Sequence, residues 1–309
     1  MKWYLGVDGG GTKTLAYVSS GDGQVRWQVC TGASNQHSAG DLRQSVADLF
    51  EQLRRAGGPA AGEFERVCFA GAGVDTPADV PVCRAAFEQE GCTGKIMVCS
   101  DGLGALVGAH GSRSGGVLIA GTGSIALGID AQGRQVRAGG WGYRTDGGCS
   151  GYSLGVAGLR AALADWDGSG PRTMLRAALF EALNARTAYD VVDVLYNQNG
   201  SVTQIASLAK PVVQTAAQDA VALQIVRGAV EEAAAAARAV ARRLPEGERV
   251  FALCGSVFEK SELVRGELEQ AFRRSLPEAK ILRPRYNAAY GALLMAEKDW
   301  DVKWEDENG

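Results

Sequence analysis

The alternation of apolar and polar segments predicts an α/β domain in the first third of the chain. Glycine-rich turns separate three short apolar segments, which predict consecutive strands at residues 4–7, 15–18 and 25–29. Apolar residues at helical spacing after Asp41 predict a helix that ends before the glycines and proline at 57–59. A strand, a helix and another strand are predicted next, at residues 67–70, 81–90 and 96–99. This β-β-β-α-β-α order is typical of α/β domains.

A unit of strand, glycine loop and strand occurs twice. The first loop carries Asp8, followed by Gly9, Gly10, Gly11, Thr12 and Lys13. The second lies between apolar segments at 117–120 and 125–129 and consists of Gly121, Thr122, Gly123 and Ser124. The two loops are about 110 residues apart, from position 9 to position 121. The repeat predicts that the chain consists of two duplicated α/β halves.

The rest of the second half is predicted to be mainly helical before it returns to strands. Helices fill most of residues 153–244, and the last is a long alanine-rich helix from about Asp219 to Leu244. The elements after it are predicted as strand 250–254, helix 261–274, strand 280–282 and helix 288–298. We therefore predict two domains, 1–110 and 111–309, with the final helix as a candidate to pack back on the first.

Both glycine loops are candidate phosphate sites. Glycines let backbone N–H groups approach a ligand, and successive N–H groups in a turn form an anion site. The first loop does not have the order of a P-loop, because Lys13 follows Thr12 rather than preceding it. The apolar alternation after Gly123 predicts a strand rather than the helix of a dinucleotide fingerprint. Either loop alone could be an ordinary hairpin turn, but two copies favour a nucleotide held between two domains.

Composition restricts the class of protein. The chain has 309 residues, of which 46% are hydrophobic and 22% charged, as in ordinary globular proteins. A net charge of −3 argues against nucleic acid or an acidic membrane as the main partner. Seven scattered cysteines and two histidines favour free thiols over a zinc site. We expect a cytoplasmic protein with no membrane span.

Three further segments are candidates for ligand binding. Asp101 follows strand 96–99, where α/β folds place ligands, although Ser100 or Asp101 could simply cap the next helix. The glycine-rich segment 139–152 contains Trp141, Tyr143 and Asp146, and aromatic faces suit sugar rings. The alternative for that segment is a structural loop with Trp141 in the core. Gly255 and Ser256 after strand 250–254 leave room for an adenine or ribose, or form an ordinary turn.

Taken together, these motifs resemble the N-acetylglucosamine kinase branch of the BadF/BadG/BcrA/BcrD ATPase family, in the actin/hexokinase/Hsp70-like superfamily. The resemblance runs from Asp8 to the helix that contains Gly291. It implies two duplicated ribonuclease H-like domains with a nucleotide cleft between them. It also implies ATP and Mg²⁺ as cofactors, a small sugar as substrate and a homodimer as the expected assembly.

The resemblance assigns roles to individual positions. Asp101 is implied as the catalytic base and Asp8 as the metal ligand. The ATP-binding residues implied are Gly9, Gly10, Gly11, Thr12, Lys13, Gly121, Thr122, Gly123, Ser124, Gly255 and Ser256. The sugar-binding residues implied are Ser34, Asn35, Gln36, Asp101, Trp141, Gly142, Tyr143 and Asp146.

One segment departs from the family pattern. After Gly139-Gly140-Trp141-Gly142 the family has Gly-Asp-Glu-Gly-Ser, whereas this chain has Asp146-Gly147-Gly148-Cys149-Ser150. The two acidic side chains are replaced by Gly147 and Gly148, and Asp146 is a partial substitute. The identity of the sugar is therefore open. Two other functions stay open as well: an iron–sulfur activator ATPase of the same superfamily, and a non-catalytic sugar or nucleotide sensor.

Overall fold

The described part of the chain contains ten strands, arranged as two five-stranded sheets. The structure is a computed structural model that describes residues 2–11, 13–35, 41–197 and 200–300. The strands of the first sheet are β1 (Trp3–Gly9), β2 (Thr14–Ser19), β3 (Trp27–Thr31), β4 (Phe64–Gly71) and β5 (Lys95–Ser100). Those of the second are β6 (Gly115–Ala120), β7 (Ser124–Ile129), β8 (Gln135–Gly139), β9 (Val250–Cys254) and β10 (Lys280–Leu282).

The two sheets have the same strand order. The first is β3-β2-β1-β4-β5 and the second, read from its β8 edge, is β8-β7-β6-β9-β10. When the strands of each sheet are numbered along the chain, both orders are therefore 3-2-1-4-5. In the first sheet β1 is antiparallel to β2 and parallel to β4, and β4 is parallel to β5. The predicted duplication of an α/β unit is confirmed.

Helices connect and cover the strands. They are α1 (Leu42–Arg55), α2 (Asp79–Gln89), α3 (Asp101–His110), α4 (Gly151–Asp167), α5 (Leu175–Ala182), α6 (Ala188–Val192), α7 (Val202–Ser207), α8 (Ala209–Thr215), α9 (Ala220–Ala241), α10 (Ser256–Glu259), α11 (Glu262–Ser275) and α12 (Ala288–Lys298). Short 3₁₀ turns lie at Ala61–Glu63 and Glu246–Glu248, and a π-helical turn at Asp193–Asn197. None of the helices in the described ranges is long and apolar enough to span a bilayer.

The predicted helix starts agree well with the structure because side chains cap them. Asp41 accepts hydrogen bonds from the Arg43 and Gln44 amides at the start of α1. Asp219 accepts one from the Ala222 amide at the start of α9. The alanine-rich run of α9 is a packing face, as expected, with three of its alanines buried at positions 233, 234 and 237.

The main errors fall on short or polar elements. Strand β3 begins two residues later than predicted, because the Asp22 carboxylate accepts the Gln24 amide and keeps that segment in the turn. Strand β8 was not predicted, and only its Val136 is fully buried. Helix α10 was also missed, because four residues are too few to show a helical period.

The chain divides into two compact units. One consists of Met1–Val117, Leu127–Val136 and Arg283–Gly309, and the other of Leu118–Ala126 and Arg137–Leu282. The first contains the whole first sheet with α1, α2, α3 and α12. The second contains β9, β10 and helices α4 to α11. The predicted division at residue 110 stays a prediction.

Helix α12 packs closely in the first unit because glycines remove side chains from the contact. A Cβ atom on Gly291 would overlap the Gly104 carbonyl oxygen and the Gly108 amide nitrogen of α3. A Cβ atom on Gly6 of β1 would overlap the backbone at Leu293 of α12. Backbone atoms cannot swing aside as a flexible side chain can, so the strand, α3 and α12 are held in one arrangement.

We expect Gly291→Ala to destabilise the protein by about 2 kcal/mol or more, because overpacking a rigid contact typically costs about 1–3 kcal/mol. Gly266→Ala on α11 is the matched control, since, apart from its chain neighbours and the nearby backbone of its own helix, no described atom lies within 4 Å of its Cβ position. In that helix the change should be neutral or stabilising by up to about 1 kcal/mol. Urea unfolding of both variants checks this, and equal stabilities would contradict the proposed backbone contact.

Candidate nucleotide and sugar sites

The first glycine loop joins β1 to β2 and is closed by backbone hydrogen bonds. The Gly10 amide donates to the Lys13 carbonyl at 2.9 Å. The Ser34 amide donates to the Gly10 carbonyl at 3.1 Å, and the Ala72 amide to the Gly9 carbonyl at 2.7 Å. The loop is therefore fixed to the segments that follow β3 and β4.

Gly11 has no structural reason in the described chain to be a glycine. Apart from its chain neighbours, no described residue has an atom within 4 Å of its Cβ position, and its φ is not in the left-handed region. A side chain would therefore enter open space, which leaves room for a ligand to approach the backbone. Thr12 and Gln36, both predicted as ligand residues, lie outside the described residues.

Ser34 and Asn35 lie beside this loop. The buried Ser34 hydroxyl accepts a hydrogen bond from Thr14 Oγ1 at 2.8 Å. Asn35 follows it and is half-buried. The structure thus brings two of the residues predicted for sugar binding next to the first glycine loop.

Two carboxylates lie at the end of the first sheet where parallel strands finish. Asp8 of β1 is in register with Ala70 of β4, which is in register with Cys99 of β5. Asp101 follows Cys99 by two residues. Two strand spacings put the backbones of Asp8 and Cys99 about 10 Å apart. Since parallel strands end at one edge, Asp8 and Asp101 share that edge.

Ser100, rather than Asp101, is the residue that caps helix α3. The Ser100 hydroxyl accepts the Leu103 amide at 3.4 Å and is the N-cap of α3. Asp101 Oδ1 accepts the Gly102 amide at 2.7 Å from the first turn of the same helix. Asp101 is thus held at a helix start without being its capping residue.

The surroundings of Asp8 and Asp101 at this edge raise the pKa of both carboxyl groups. Burial and, to a lesser extent, the negative charge of Asp101 raise the pKa of Asp8, Lys13 partly offsets both effects, and the net pKa is about 6. Partial desolvation raises the pKa of Asp101 too, although its side chain is exposed, and the Asp75 charge contributes. A cation at this edge would relieve the repulsion between the carboxylates, and a carboxylate is a suitable Mg²⁺ ligand.

The second glycine loop joins β6 to β7 and is anchored by the start of α4. The Gly121 amide donates to the Gly123 carbonyl at 2.9 Å. The Gly151 amide donates to the Gly121 carbonyl at 2.7 Å, and the Tyr152 amide to the Thr122 carbonyl at 3.2 Å. Apart from their chain neighbours, no described residue has an atom within 4 Å of the Cβ positions of Gly121 or Gly123, and neither φ is left-handed. These glycines too leave open space for a ligand.

A cavity of about 430 Å³ opens beside this loop within the second unit. Its wall includes Gly121, Thr122, Ser256 and two cationic side chains, Lys210 and Lys260. Gly255 has φ +94°, and a Cβ atom there would overlap the Ala120 carbonyl oxygen. Only glycine therefore allows β6 and the turn after β9 to lie so close. The cavity has the size of a small-molecule site.

Segment 139–149 is a folded turn rather than a core plug. The Asp146 amide donates to the Gly142 carbonyl at 2.9 Å, and its carboxylate accepts the Trp141 amide. The Trp141 ring is 69% exposed and lies beneath the Arg137 guanidinium, 4.1 Å from the ring centroid. The core alternative for Trp141 is wrong, because the residue is largely exposed and its neighbour is the Arg137 guanidinium rather than the core. Tyr143 stacks edge-on against Tyr152, with ring centroids 4.9 Å apart.

Several residues of these sites were not predicted from the sequence. Lys210 and Lys260 line the large cavity from separate helical segments, and Glu232 of α9 contacts segment 139–149. Nothing in their local sequence distinguishes them from solvated surface charges. The Gly71-Ala72-Gly73 turn after β4 holds the first glycine loop through the bond from the Ala72 amide to the Gly9 carbonyl. The sequence does indicate this turn, because it repeats the pattern of a strand followed by glycines.

The profile of the BadF/BadG/BcrA/BcrD ATPase family matches residues 5–296. The chain belongs to this family. The described residues of the chain contain no group of three or more His, Cys, Asp or Glu side chains that could hold a metal ion by themselves. Magnesium bound together with phosphates needs only one or two carboxylates from the protein, so Asp8 fits such a site.

Individual proteins of known structure or activity are similar to nearly the full length of this chain. An N-acetylmuramic acid/N-acetylglucosamine kinase from Clostridium acetobutylicum is 30% identical over 308 residues, covering 97% of this chain and 100% of the relative. A solved structure from Chromobacterium violaceum, provisionally assigned as an N-acetylglucosamine kinase, has a TM-score of 0.77 and 28% identity, covering 96% and 99%. A ROK family glucokinase from Streptomyces griseus, solved with glucose and AMPPNP, has a TM-score of 0.62 and 20% identity, covering 96% and 98%. The fold is therefore that of the actin/hexokinase-like ATPases.

Asp8→Asn is expected to stabilise the protein free of nucleotide and divalent cations at pH 7.5, by roughly 2 °C or more in Tm. The folded-state pKa of Asp8 is raised to about 6, above its value in the unfolded chain. Ionised Asp8 therefore destabilises the fold above pH 6, and that penalty disappears as the pH falls towards about 4. The Tm difference should shrink over this range. Thermal melts with EDTA measure it, with the exposed Asp48→Asn as control, and a difference independent of pH would contradict the assigned cause.

Gly123→Val should weaken ATP binding by at least about tenfold while changing Tm by less than roughly 2 °C, because valine enters space that no described residue occupies. Gly247→Val is the control, since its Cβ position is also open and it does not line the large cavity. Isothermal titration with ATP·Mg²⁺ measures both. Unchanged binding by Gly123→Val would show that the second loop does not approach the nucleotide.

Proposed function

We propose that this protein transfers the γ-phosphoryl group of ATP to a hydroxyl of an amino sugar. The observation that carries the proposal is that three loop glycines, Gly11, Gly121 and Gly123, are required neither by packing nor by backbone conformation. Phosphate groups held by backbone amides explain glycine at all three positions. Membership of an ATPase family and the similarity to a Clostridium acetobutylicum sugar kinase support the same reaction.

The nucleotide is assigned to the second unit. The amides of residues 122–124 bind phosphate, and the 430 Å³ cavity beside Ser256 accommodates the nucleoside. Lys210 and Lys260 on the cavity wall add positive charge, which favours a polyanionic ligand. In the first unit Gly9, Gly10, Gly11 and Lys13 belong to the other phosphate loop.

Asp8 is the proposed ligand of Mg²⁺, directly or through water. Magnesium neutralises phosphate charge during phosphoryl transfer. Asp8 must be ionised to bind it, and the raised pKa of about 6 keeps the group mostly ionised at neutral pH. Lys13 lowers the same pKa and so also helps to keep the carboxylate charged.

Asp101 is the proposed general base. The sugar hydroxyl gives its proton to this carboxylate as its oxygen attacks the transferred phosphoryl group. Desolvation raises the pKa of Asp101, which makes it a stronger base than an ordinary surface aspartate. Its bond to the Gly102 amide at 2.7 Å fixes one carboxylate oxygen and orients the other.

The acceptor is proposed to be N-acetylglucosamine or a derivative of it. The relative from Clostridium acetobutylicum acts, by its name, on both N-acetylmuramic acid and N-acetylglucosamine. Asn35, with Ser34, is assigned to the sugar beside the first loop. Trp141, Tyr143 and Asp146 are assigned to it in segment 139–149, where the exposed Trp141 ring offers a flat apolar face.

An assay of ADP release with ATP·Mg²⁺ tests the function directly. The panel contains N-acetylglucosamine, N-acetylmuramic acid, glucosamine and glucose, and ³¹P NMR identifies the phosphorylated product. Sugar-dependent ADP release is expected with at least one amino sugar. Nucleotide or sugar binding without turnover would favour the sensor alternative. Sugar-independent ATP hydrolysis with iron–sulfur absorption in the visible spectrum would favour the activator ATPase.

Asp101→Asn should lower kcat by at least about 10²-fold, the usual minimum for loss of a general base. ATP binding should change little, because the proposed nucleotide contacts lie in the two glycine loops and at residues 255–256 and do not include Asp101. Steady-state kinetics and isothermal titration measure the two effects. Ser100→Ala is the control, since it removes the cap of α3 and leaves the carboxylate in place. A kcat in Asp101→Asn equal to that of the wild type would remove the residue from the chemistry.

We also propose a cytoplasmic location, supported by the seven cysteines, all of which are free thiols. Five of them are buried and Cys30 is exposed, a state that suits a reducing compartment. The expected homodimer, and the absence of a nucleic-acid partner, stay predictions.

A further inference from the structure

The space that a side chain at position 147 would need is taken by Glu232. A Cβ atom on Gly147 would overlap Glu232 Oε2 and lie 3.2 Å from Glu232 Cδ. Glu232 belongs to α9, 85 positions further along the chain by subtraction of 147 from 232. The loss of the family's acidic side chain at 147 therefore does not leave a void, because a carboxylate from another element occupies the start of it.

The same carboxylate binds the loop backbone. The Gly148 amide donates a hydrogen bond to Glu232 Oε2. A hydrogen bond from a backbone amide to a charged carboxylate is stronger than one between neutral groups. Glu232 thus ties helix α9 to the turn between Asp146 and Cys149.

Gly148 is held from two further sides. The Ser153 hydroxyl of α4 donates to the Gly148 carbonyl at 2.7 Å. A Cβ atom on Gly148 would overlap the hydroxyl of Ser124, the last residue of the second glycine loop. Gly148 also has φ +68°, which few other residues adopt without strain. The turn is therefore fixed against the phosphate loop on one side and against α9 on another.

A small cavity of about 190 Å³ has Glu232, Asp146, Gly147, Gly148 and Ser124 in its wall. One carboxylate oxygen of Asp146 is held within its own turn, because it accepts a hydrogen bond from the Trp141 amide. Glu232 is held at the wall by the Gly148 amide. Any movement of the Glu232 carboxylate consequently changes both the shape of the turn and the charge beside it.

We propose that Glu232 is a positioning residue of the sugar site, which holds segment 139–149 through the Gly148 amide and requires glycine at position 147. The inference rests on the proposed function only in assigning that segment to the sugar. The restraint on the loop is independent of the reaction. The following experiments separate the two parts.

Hydrogen–deuterium exchange of the wild-type protein and its variants measures the restraint without substrate. Glu232→Ala should raise exchange in the peptide that covers residues 139–150, while Glu232→Gln, which keeps an acceptor oxygen, should stay close to wild type. Glu231→Ala is the matched control, because Glu231 pairs with Arg274 of α11 at 2.5 Å instead. Equal exchange of this peptide in Glu232→Ala and wild type would overturn the proposal, whatever the kinetics show.

Kinetics then measure the effect on the sugar. Glu232→Ala should raise KM for the sugar by about fivefold, the typical effect of losing one hydrogen bond, with KM for ATP unchanged and recovery in Glu232→Gln. If exchange rises but KM for the sugar stays at the wild-type value, the assignment of Glu232 to the sugar site is wrong. If the wild type releases no ADP with any sugar, the proposed function fails, while the exchange result still decides the restraint.

A pair of substitutions tests the steric part. Gly147→Ala should raise KM for the sugar, because the new methyl group displaces the Glu232 carboxylate. In Gly147→Ala/Glu232→Ala the clash is absent, so the combined effect should be smaller than the product of the single effects. Strictly multiplicative effects would show that the two positions do not interact and would overturn the requirement for glycine.

Discussion

Close approach of one backbone segment to another, at positions where only glycine fits, is the constraint on which this structure depends. In the first unit, Gly291 of α12 lies against the backbone of α3, and Gly6 of β1 lies against α12. In the second, Gly255 brings the turn after β9 against Ala120 at the end of β6. Gly155 of α4 lies in the same way against the Ile205 carbonyl. A methyl group at any of these points meets backbone, which cannot move aside alone, so the elements that carry the site residues have little freedom to shift.

A second set of glycines has the opposite environment. Apart from chain neighbours, no described residue lies within 4 Å of the Cβ positions of Gly11, Gly121 and Gly123, and their φ angles are not left-handed. Packing therefore explains one set and fails to explain the other. The contrast is informative because glycine loses more conformational entropy on folding than any other residue. A glycine that no packing contact requires therefore needs another explanation. Room for a bound phosphate is the simplest gain.

The two units differ in the charges of the side chains at their proposed sites. The first unit concentrates negative charge, because the charge of Asp101 raises the pKa of Asp8 and the charge of Asp75 raises the pKa of Asp101. The second unit lines its larger cavity with Lys210 and Lys260. An acidic edge suits a metal ion and a general base, whereas a cationic cavity suits a polyanion. In the second unit Glu232 adds a carboxylate that is already bound to a backbone amide, so its role is structural support rather than proton transfer.

The sequence determined the repeating unit and most of its strands, because apolar periodicity and glycine loops are local properties that survive without tertiary context. It also placed Asp101 and both glycine loops at the ends of predicted strands, where the structure has them, since a residue type following a buried strand is visible in one dimension. It did not reveal β8, whose single fully buried position gives too weak a pattern. It left Trp141 with two possible environments, and packing decided in favour of the exposed one beneath Arg137. The occupant of the space beside Gly147 could be found only in three dimensions. Glu232 is 85 positions away from it in the chain. It reaches that space because α9 packs within the same unit through its buried alanines, and no motif around the glutamate indicates this placement.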